Sequence, residues 1–381
     1  MIIDVKNNDM AVILREVVTK KDLKEFIYLP EKIHKDQKNW LPPIYIDEKK
    51  FFDPKKNLSF RGCDYRLLLV YRDAKPVGRI MGIINNNHNE VFKIKNGRFA
   101  YFDCYNDPEV SKMLINEIEN WARQKGMNKI IGPYGFTDRD PQGLLIKGFE
   151  YEPVVDSATN PEYLPVLVEN EGYEKELDCL IHRYPLTIEL PEIYQRIYQR
   201  VISKKDLQFH EFTKRKQLKK LIVPVLKAVN VSFSDIYGFM PMDEKEMFEL
   251  ANRYLPILDP KFVKIVTKGD KVVAFLISMP NCYKGIQKSK GRLLPFGFFH
   301  ILRAMKTAKS INTMLGGITP DFQKQGLDMF LFITTVNAAK QAGMTSIDTH
   351  VVMEDNKDMM AETKRYGSFE IKRFRVYQKQ L

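Results

Sequence analysis

GGITPDFQKQGLDMFLF, Gly316 to Phe332, passes through three kinds of local order in quick succession. An apolar strand runs into a polar turn, and a long amphipathic segment leaves it. Leu327, Phe330, Leu331, Thr334 and Ala338 recur at helical spacing, which predicts a helix docked against a sheet. The first N–H groups of a helix have no internal acceptor, and the dipole at that end favours negative charge. Gly326 lets the main chain approach a ligand closely, and Lys324 adds a cation. The turn therefore reads as an anion site of the kind that holds a pyrophosphate.

The same succession of elements occurs twice. WARQKGMNKI (121–130) and AAKQAGMTSI (338–347) share Ala, Gln, Gly, Met and Ile in register, with Gly126 and Gly343 at helix C-termini. Upstream, YRLLLVYRDAKPVGRIMGIIN (65–85) reads as two strands joined by a turn at Asp73–Pro76. KFVKIVTKGDKVVAFLISM (261–279) reads likewise, with Gly269–Asp270 at its turn. The hairpins are offset by 196 residues (Gly78 against Ala274) and the helix ends by 217, so the second half carries 217 − 196 = 21 extra residues. GRLLPFGFFHILRAMKTAKS (291–310) accounts for them. Chance likeness between two αβ units competes with duplication, and the shared element order favours duplication. Pro185 and Pro191 in RYPLTIELPEIYQ (183–195) mark the join, giving halves 1–190 and 191–381. After it comes a basic helical region, FTKRKQLKKLIVPVLKAV (212–229), expected to bend or break around Pro224.

A chain of 381 residues, 44% hydrophobic and 12% aromatic, has the size and the apolar content for two cores. Cys63, Cys104, Cys179 and Cys282 are far apart and read as reduced thiols. The six histidines have no metal-ligand spacing, so no metal is expected. No apolar run is long enough to cross a bilayer, and MIIDVKNNDMAVILREV lacks a basic leader before an apolar core, which points to a cytoplasmic protein. Neither a G-x-S-x-G elbow nor a G-x-x-x-x-G-K-[ST] loop is present. The formal charge of +12 suits an anionic partner, such as a phosphorylated cofactor, nucleic acid or an acidic membrane; a well-solvated lysine-rich surface is the plain alternative.

These residues resemble a family. The order strand, Q-x-x-G turn, helix, strand and acidic-Asn turn is similar to the coenzyme A-binding half of the GNAT acyltransferase superfamily. The wider resemblance is to tandem GNAT-like proteins of the N-acetyltransferase group. It runs through GRFAYFDCYNDPEV (97–110), GPYGFTDRDPQGLLIKGFE (132–150), LPILDP (255–260), ITPDFQKQGLD (318–328) and VMEDNKDMMAETKRYGSFEIKRFRVYQKQL (352–381). It implies an α/β fold of two tandem GNAT-like domains, each a mixed, mainly antiparallel twisted sheet flanked by helices. It implies acetyl-CoA or a longer acyl-CoA as co-substrate, held by Ile318, Thr319, Gln323, Lys324, Gln325, Gly326 and Leu327, with Asn356 at the end of a splayed strand. Two positions depart from the pattern. Asp328 replaces the usual small residue, though it also suits a helix start. The usual tyrosine acid aligns with Thr363, and Tyr366 stands nearby out of register. The first half, with Asp107-Pro108-Glu109 at its helix start, reads as a degenerate copy that shapes an acceptor pocket through residues 132–145.

Acyl transfer to an amine requires a route for the amine's proton, an N–H donor for the oxyanion and a proton for the thiolate. Glu354 and Asp355 suit the first need, and equally suit turn and capping chemistry. Tyr366 is the candidate proton donor. His350 reads as a structural strand histidine and Asp259 as a turn residue before Pro260. Leu293, Leu294, Phe296, Phe298, Phe299, Ile301 and Leu302, flanked by Arg292, Arg303, Lys306 and Lys309, suit peripheral contact with an anionic membrane at its inner face or an acyl-chain portal. A core helix with snorkelled basic ends fits the same residues. The acceptor is then a small-molecule or lipid-like amine. Two rival readings share the fold: a Fem-type transferase that takes its donor from aminoacyl-tRNA, and a non-catalytic sensor or scaffold. Lys204–Lys205 and Lys214–Lys220 read as a solvated helix face with no RNA-binding aromatics among them, so nucleic acid is not expected.

Overall fold

The computed structural model describes residues 3–4, 12–155, 157–234 and 239–381; residues 1, 2 and 5–11 of the stretch read for a leader lie outside the described residues. The first half supplies β1 (Ile3–Asp4), β2 (Val12–Glu16), β3 (Cys63–Arg72), β4 (Lys75–Asn85), β5 (Asn96–Cys104), β6 (Lys129–Gly132), β7 (Leu144–Lys147) and β8 (Glu174–Pro185). The second supplies β9 (Gln208–His210), β10 (Val263–Lys268), β11 (Lys271–Pro280), β12 (Ser310–Ile318), β13 (Ser346–Asp348), β14 (Val352–Met353) and β15 (Phe369–Gln380).

Both predicted hairpins form, β3 with β4 and β10 with β11. Asp73 and Ala74 take positive φ at the first turn and Gly269 at the second, the handedness that a tight turn between twisted strands needs. Helices cover both faces of the sheet, which is why Leu67–Tyr71 and Gly78–Asn85 are buried throughout instead of alternating. The element order repeats as read. A hairpin, a third strand (β5 or β12), a long helix (Pro108–Gln124 or Leu327–Gln341) and a short strand parallel to the third (β6 or β13) occur in each half.

All strands belong to one sheet, whose order is β1-β2-β3-β4-β5-β6-β15-β8-β13-β12-β11-β10-β9, with β7 on β15 and β14 on β8. The last strand of each half is exchanged: β15 lies between β6 and β8, and β8 pairs with β13. The apolar cluster at the middle of the sheet accordingly mixes Ile131, Leu145 and Ile181 with Ile371, Phe374 and Val376. We propose residues 190 and 191 as the join between two copies whose final strands have changed places.

The fold refines two local expectations. The helix Leu327–Gln341 is buried on nearly every side, because helix Glu192–Ile202 covers the face turned away from the sheet. The basic region breaks, as expected, just before Pro224: it forms two helices, Arg215–Leu218 and Ile222–Ser232, separated by residues 219–221. That proline sits in the first turn of the second helix, where its missing N–H has no partner to lose.

Candidate functional site

From Ile318 to Leu327 the chain makes one tight bend. Thr319 N–H donates to the Val273 carbonyl at 2.9 Å, Pro320–Phe322 form a single 3-10 turn, and Lys324 and Gly326 take φ of 58° and 85°. A Cβ on Gly326 would lie 2.9 Å from Ile197 Cγ2 and 3.0 Å from Val201 Cγ2, so conformation and space both demand glycine. The side-chain amides brace the bend. Gln323 Nε2 donates to Ile318 O at 3.4 Å, Gln325 Nε2 to Asp321 O at 2.9 Å, and Lys204 Nζ to Gln325 Oε1 at 3.1 Å. Lys204 and Lys324 thus put two cations at the bend. Among the described residues, the N–H groups of Lys324, Gln325, Gly326, Leu327, Asp328 and Met329 have no acceptor, and no side chain caps the helix.

The corresponding helix in the first half is already served. Asp107 Oδ1 accepts from Glu109 N–H at 3.1 Å and Val110 N–H at 3.3 Å, and Arg72 Nη2 holds the same carboxylate at 2.8 Å. A carboxylate of the chain itself takes the place that an anionic ligand would need.

The bend opens into a fork. β12 and β13 run parallel only from Ser310 to Asn312 against Ser346 to Asp348. His350 N–H then donates to Thr313 Oγ1 at 3.1 Å, and among the described residues no strand pairs with that edge of β12 from Met314 to Ile318. The register against β11 slips between Ile277 and Ser278, leaving Met314 as a bulge. A bulge at the mouth of a fork turns backbone groups away from the ladder and into the opening. Asn356 caps helix Lys357–Arg365, accepting from Met359 N–H at 3.1 Å.

The other sequence candidates fall in separate places. Glu354 is held by β8: Lys175 Nζ lies 2.7 Å from its Oε1, which also accepts from Asp178 N–H at 2.9 Å. Asp355 is exposed. Asp259 caps a 3-10 turn, accepting from Lys261 N–H at 3.1 Å, as a turn residue would. Tyr366 is buried, with its ring stacked on Phe332 at 3.8 Å and its hydroxyl without a partner among the described residues. Burial raises its pKa, and the nearby Glu362 and Asp328 carboxylates raise it further, so the hydroxyl stays protonated. Burial, with Asp328 adding to it, also pushes Glu362 up to about 7. Arg365 Nη1 lies 3.6 Å from Asp328 Oδ2 and offsets the charge that this residue brings to the helix start. Tyr366, Glu362 and Asp328 therefore form one group beside the bend.

Sequence reading missed a polar row across the centre of the sheet. Asn312 is fully buried, and neither its Oδ1 nor its Nδ2 has a partner among the described residues. In the register it stands opposite Met279 on β11 and Asp348 on β13, and Asp348 stands opposite Arg183 on β8. Arg183 Nε and Nη2 donate to the Asp348 carboxylate at 2.7 and 2.8 Å. The one sequence signal is an asparagine inside a strand, where that residue type is disfavoured.

No family model matches the chain. Two curated relatives run nearly its whole length. One, named bacterial ceramide synthase, from Caulobacter vibrioides (strain NA1000 / CB15N), is 29% identical and is covered over 99% of each chain. The other, Protein YghO of Escherichia coli (strain K12), is 24% identical over 97% of this chain and 95% of its own. Among solved structures, a tandem GNAT protein from the clavulanic acid biosynthesis pathway, without AcCoA, superposes with a TM-score of 0.53. The match covers 97% of this chain and 98% of that one at 8% identity. With the element order repeated and a fork in the second half, that likeness shows the architecture: this chain has the fold of the tandem GNAT proteins.

Proposed function

We propose that this chain is an N-acyltransferase that takes the acyl group of acetyl-CoA or a longer acyl-CoA and transfers it to an amine. The observation that carries this reading is the run of unclaimed N–H groups from Lys324 to Met329, beside two lysines and at the mouth of the fork. Such amides suit a pyrophosphate, and the unpaired edge of β12 suits an extended arm with a carbonyl at its end. In the reaction the amine nitrogen attacks the thioester carbonyl, a C–N bond forms, and the C–S bond breaks with its electron pair on sulfur. Free N–H groups on β12 would stabilise the oxyanion. Tyr366, held protonated and next to the helix start, would supply a proton to the departing thiolate. Glu354 has both oxygens engaged by β8, so the amine is expected to lose its proton to solvent or to Asp355.

We further propose a lipid-like amine as acceptor and a peripheral position at the inner face of a membrane. Leu294, Phe296 and Phe299 are 80%, 67% and 65% exposed, and Phe298 is exposed as well. From Lys284 to Pro320 the chain has seven Lys and Arg residues and no Asp or Glu. No helix among the described residues is long and apolar enough to cross a membrane, so contact would be made by this face. The relative named for ceramide synthesis supports the same acceptor class.

Calorimetric titration with CoA tests the core of the reading. Saturable binding is expected, weakened at least tenfold in Gly326→Val, because the branched side chain strains the left-handed turn and pushes on Ile197. Wild-type protein that binds no CoA, or a Gly326→Val variant that stays folded with unchanged affinity, removes the cradle.

A further inference from the structure

Helix Lys20–Ile33 carries Lys24, Tyr28 and Lys32 four residues apart, so the three side chains line up along one face. With Glu31 and Arg292 they line an open depression of about 530 Å3, where the first half meets the 291–310 segment. The fold sets its walls. Gly291 packs so closely that a Cβ there would run into the Pro43 carbonyl, and its own carbonyl accepts from Tyr45 N–H at 3.0 Å. Arg292 follows directly, its guanidinium 5.1 Å from the Tyr45 ring and 5.7 Å from the Tyr28 ring. Its Nη1 and Nη2 donate to the Glu31 carboxylate at 3.0 and 2.8 Å, and this hydrogen bonding holds Glu31 below its ordinary pKa. The acid in the lining is thus already matched by a cation. Lys24 and Lys32 are exposed and join none of the ion pairs among the described residues, and Lys49 brings a further ammonium to 5.7 Å from the Tyr28 ring.

Two residues beyond Arg292 the surface changes character. Leu294 and Phe296 are exposed, and helix Gly297–Thr307 follows with Phe298 and Phe299 exposed as well. A cationic hollow therefore adjoins an apolar ridge, and a phosphate carried on an apolar tail matches the pair. Resting on the reading of 291–310 as a membrane-contact face, we propose that this hollow seats the phosphomonoester headgroup of a bilayer lipid. A phosphomonoester carries roughly two negative charges at neutral pH, which the two unpaired ammonium groups balance, whereas a phosphodiester carries a single charge. Lys24 and Lys32 would donate to its oxygens, and the Tyr28 hydroxyl would add a third donor. Leu294 and Phe296 would enter the acyl layer beside it. A soluble phosphate ester offers the same oxygens without the tail, so the apolar ridge is what commits the hollow to a lipid.

Sedimentation tests the seat, with phosphatidylcholine vesicles that contain either phosphatidate or phosphatidylglycerol in amounts matched for surface charge. Wild type is expected to bind the phosphatidate vesicles about fivefold or more tightly, as charge-assisted hydrogen bonds to a seated headgroup require. Lys24→Gln combined with Lys32→Gln should weaken binding to them about tenfold or more, abolish the preference and leave Tm unchanged. Lys112→Gln combined with Lys340→Gln removes the same charge from exposed positions outside the hollow and should keep the preference. Glycerol phosphate serves as the soluble probe, and calorimetry is expected to show at most millimolar affinity for it. Equal binding of the two vesicle types by wild type, or equal losses in the two double variants, would mean diffuse attraction; the seat is then overturned while the membrane reading stands. Micromolar binding of glycerol phosphate would make the ligand a soluble ester and overturn the lipid assignment. If no anionic vesicle binds, the membrane reading falls and takes the seat with it.

Discussion

Glu362 shows how a single residue at the site ties ionisation to stability. Its carboxyl is pushed up to about 7 from the ordinary 4.5, chiefly because burial disfavours the charged form. Between those two values the folded state holds a proton that the unfolded state has lost. Stability therefore falls as pH rises through this window and levels off above about 7. Glu362→Gln remains neutral throughout and should remove its share of the slope. The variant is expected to gain up to about 3 kcal/mol over wild type at pH 8 and nothing at pH 4. Urea unfolding of both proteins at pH 4, 6 and 8 measures the difference; a difference that does not change with pH would mean that Glu362 ionises normally. Glu48, pushed up to about 7 by burial, titrates in the same window, so the comparison must be between variant and wild type. Some single-residue features are legible without tertiary information. Gly326 acts through its own turn, where a left-handed φ favours glycine, although Ile197 and Val201 add a steric demand from a distant helix. Glu354 is different, because its partners Lys175 and Asp178 are remote in the chain and only the packing of β14 on β8 brings them together.

At the scale of elements, the two long helices share a scaffold and differ at their first turns. Asp107 fills the N-terminus of Pro108–Gln124, while no side chain among the described residues fills that of Leu327–Gln341. In the proposed reading this asymmetry assigns the nucleotide to the second half and leaves the first half as a support. The helix Gly297–Thr307 makes a second contrast, because it is divided across its width. Ile301 and Met305 are buried, and Phe298 and Phe299 face outward. One side of this helix therefore packs into the core, as the reading of a core helix has it, and the other side is exposed. If the exposed side meets a bilayer, wild type should sediment with vesicles rich in phosphatidylglycerol and bind phosphatidylcholine vesicles at least tenfold more weakly. Phe296→Ser combined with Phe299→Ser should cut binding to the anionic vesicles tenfold or more without lowering Tm, since neither ring is part of a buried cluster. Equal sedimentation of the variant and wild type would exclude this face as the contact.

At the scale of the molecule, the exchange of β8 and β15 ties the halves into one folding unit. β15 pairs with β6 and β8 along its length, so removing it exposes two sheet edges at the centre of the molecule. A chain ending at Gly367 is expected to be insoluble or unfolded in both halves. The intact chain should unfold in one transition, because the central cluster draws on both halves. Trp40 and Trp121, the only tryptophans, lie in the first half, so their fluorescence reports that half while far-ultraviolet circular dichroism reports both. Coincident urea transitions by the two probes are expected, with midpoints within about 0.2 M given the usual error of such fits. Separate midpoints would mean that the halves fold independently.

Periodicity and punctuation by themselves determined the hairpins, the long helix after each third strand, the repeat of that order and the glycine bend at Gly326. All of these depend on contacts between residues near in the chain, where chain geometry leaves few options. Only the tertiary structure decided which half has an open helix N-terminus. It alone exchanged the final strands, wrapped Leu327–Gln341 on both sides, committed Glu354 to a strand from the other half and left the Asn312 side chain without a partner among the described residues. Each of those outcomes depends on which strands become neighbours and in what register. Pairing of that kind joins residues more than a hundred positions apart, and no local pattern encodes it.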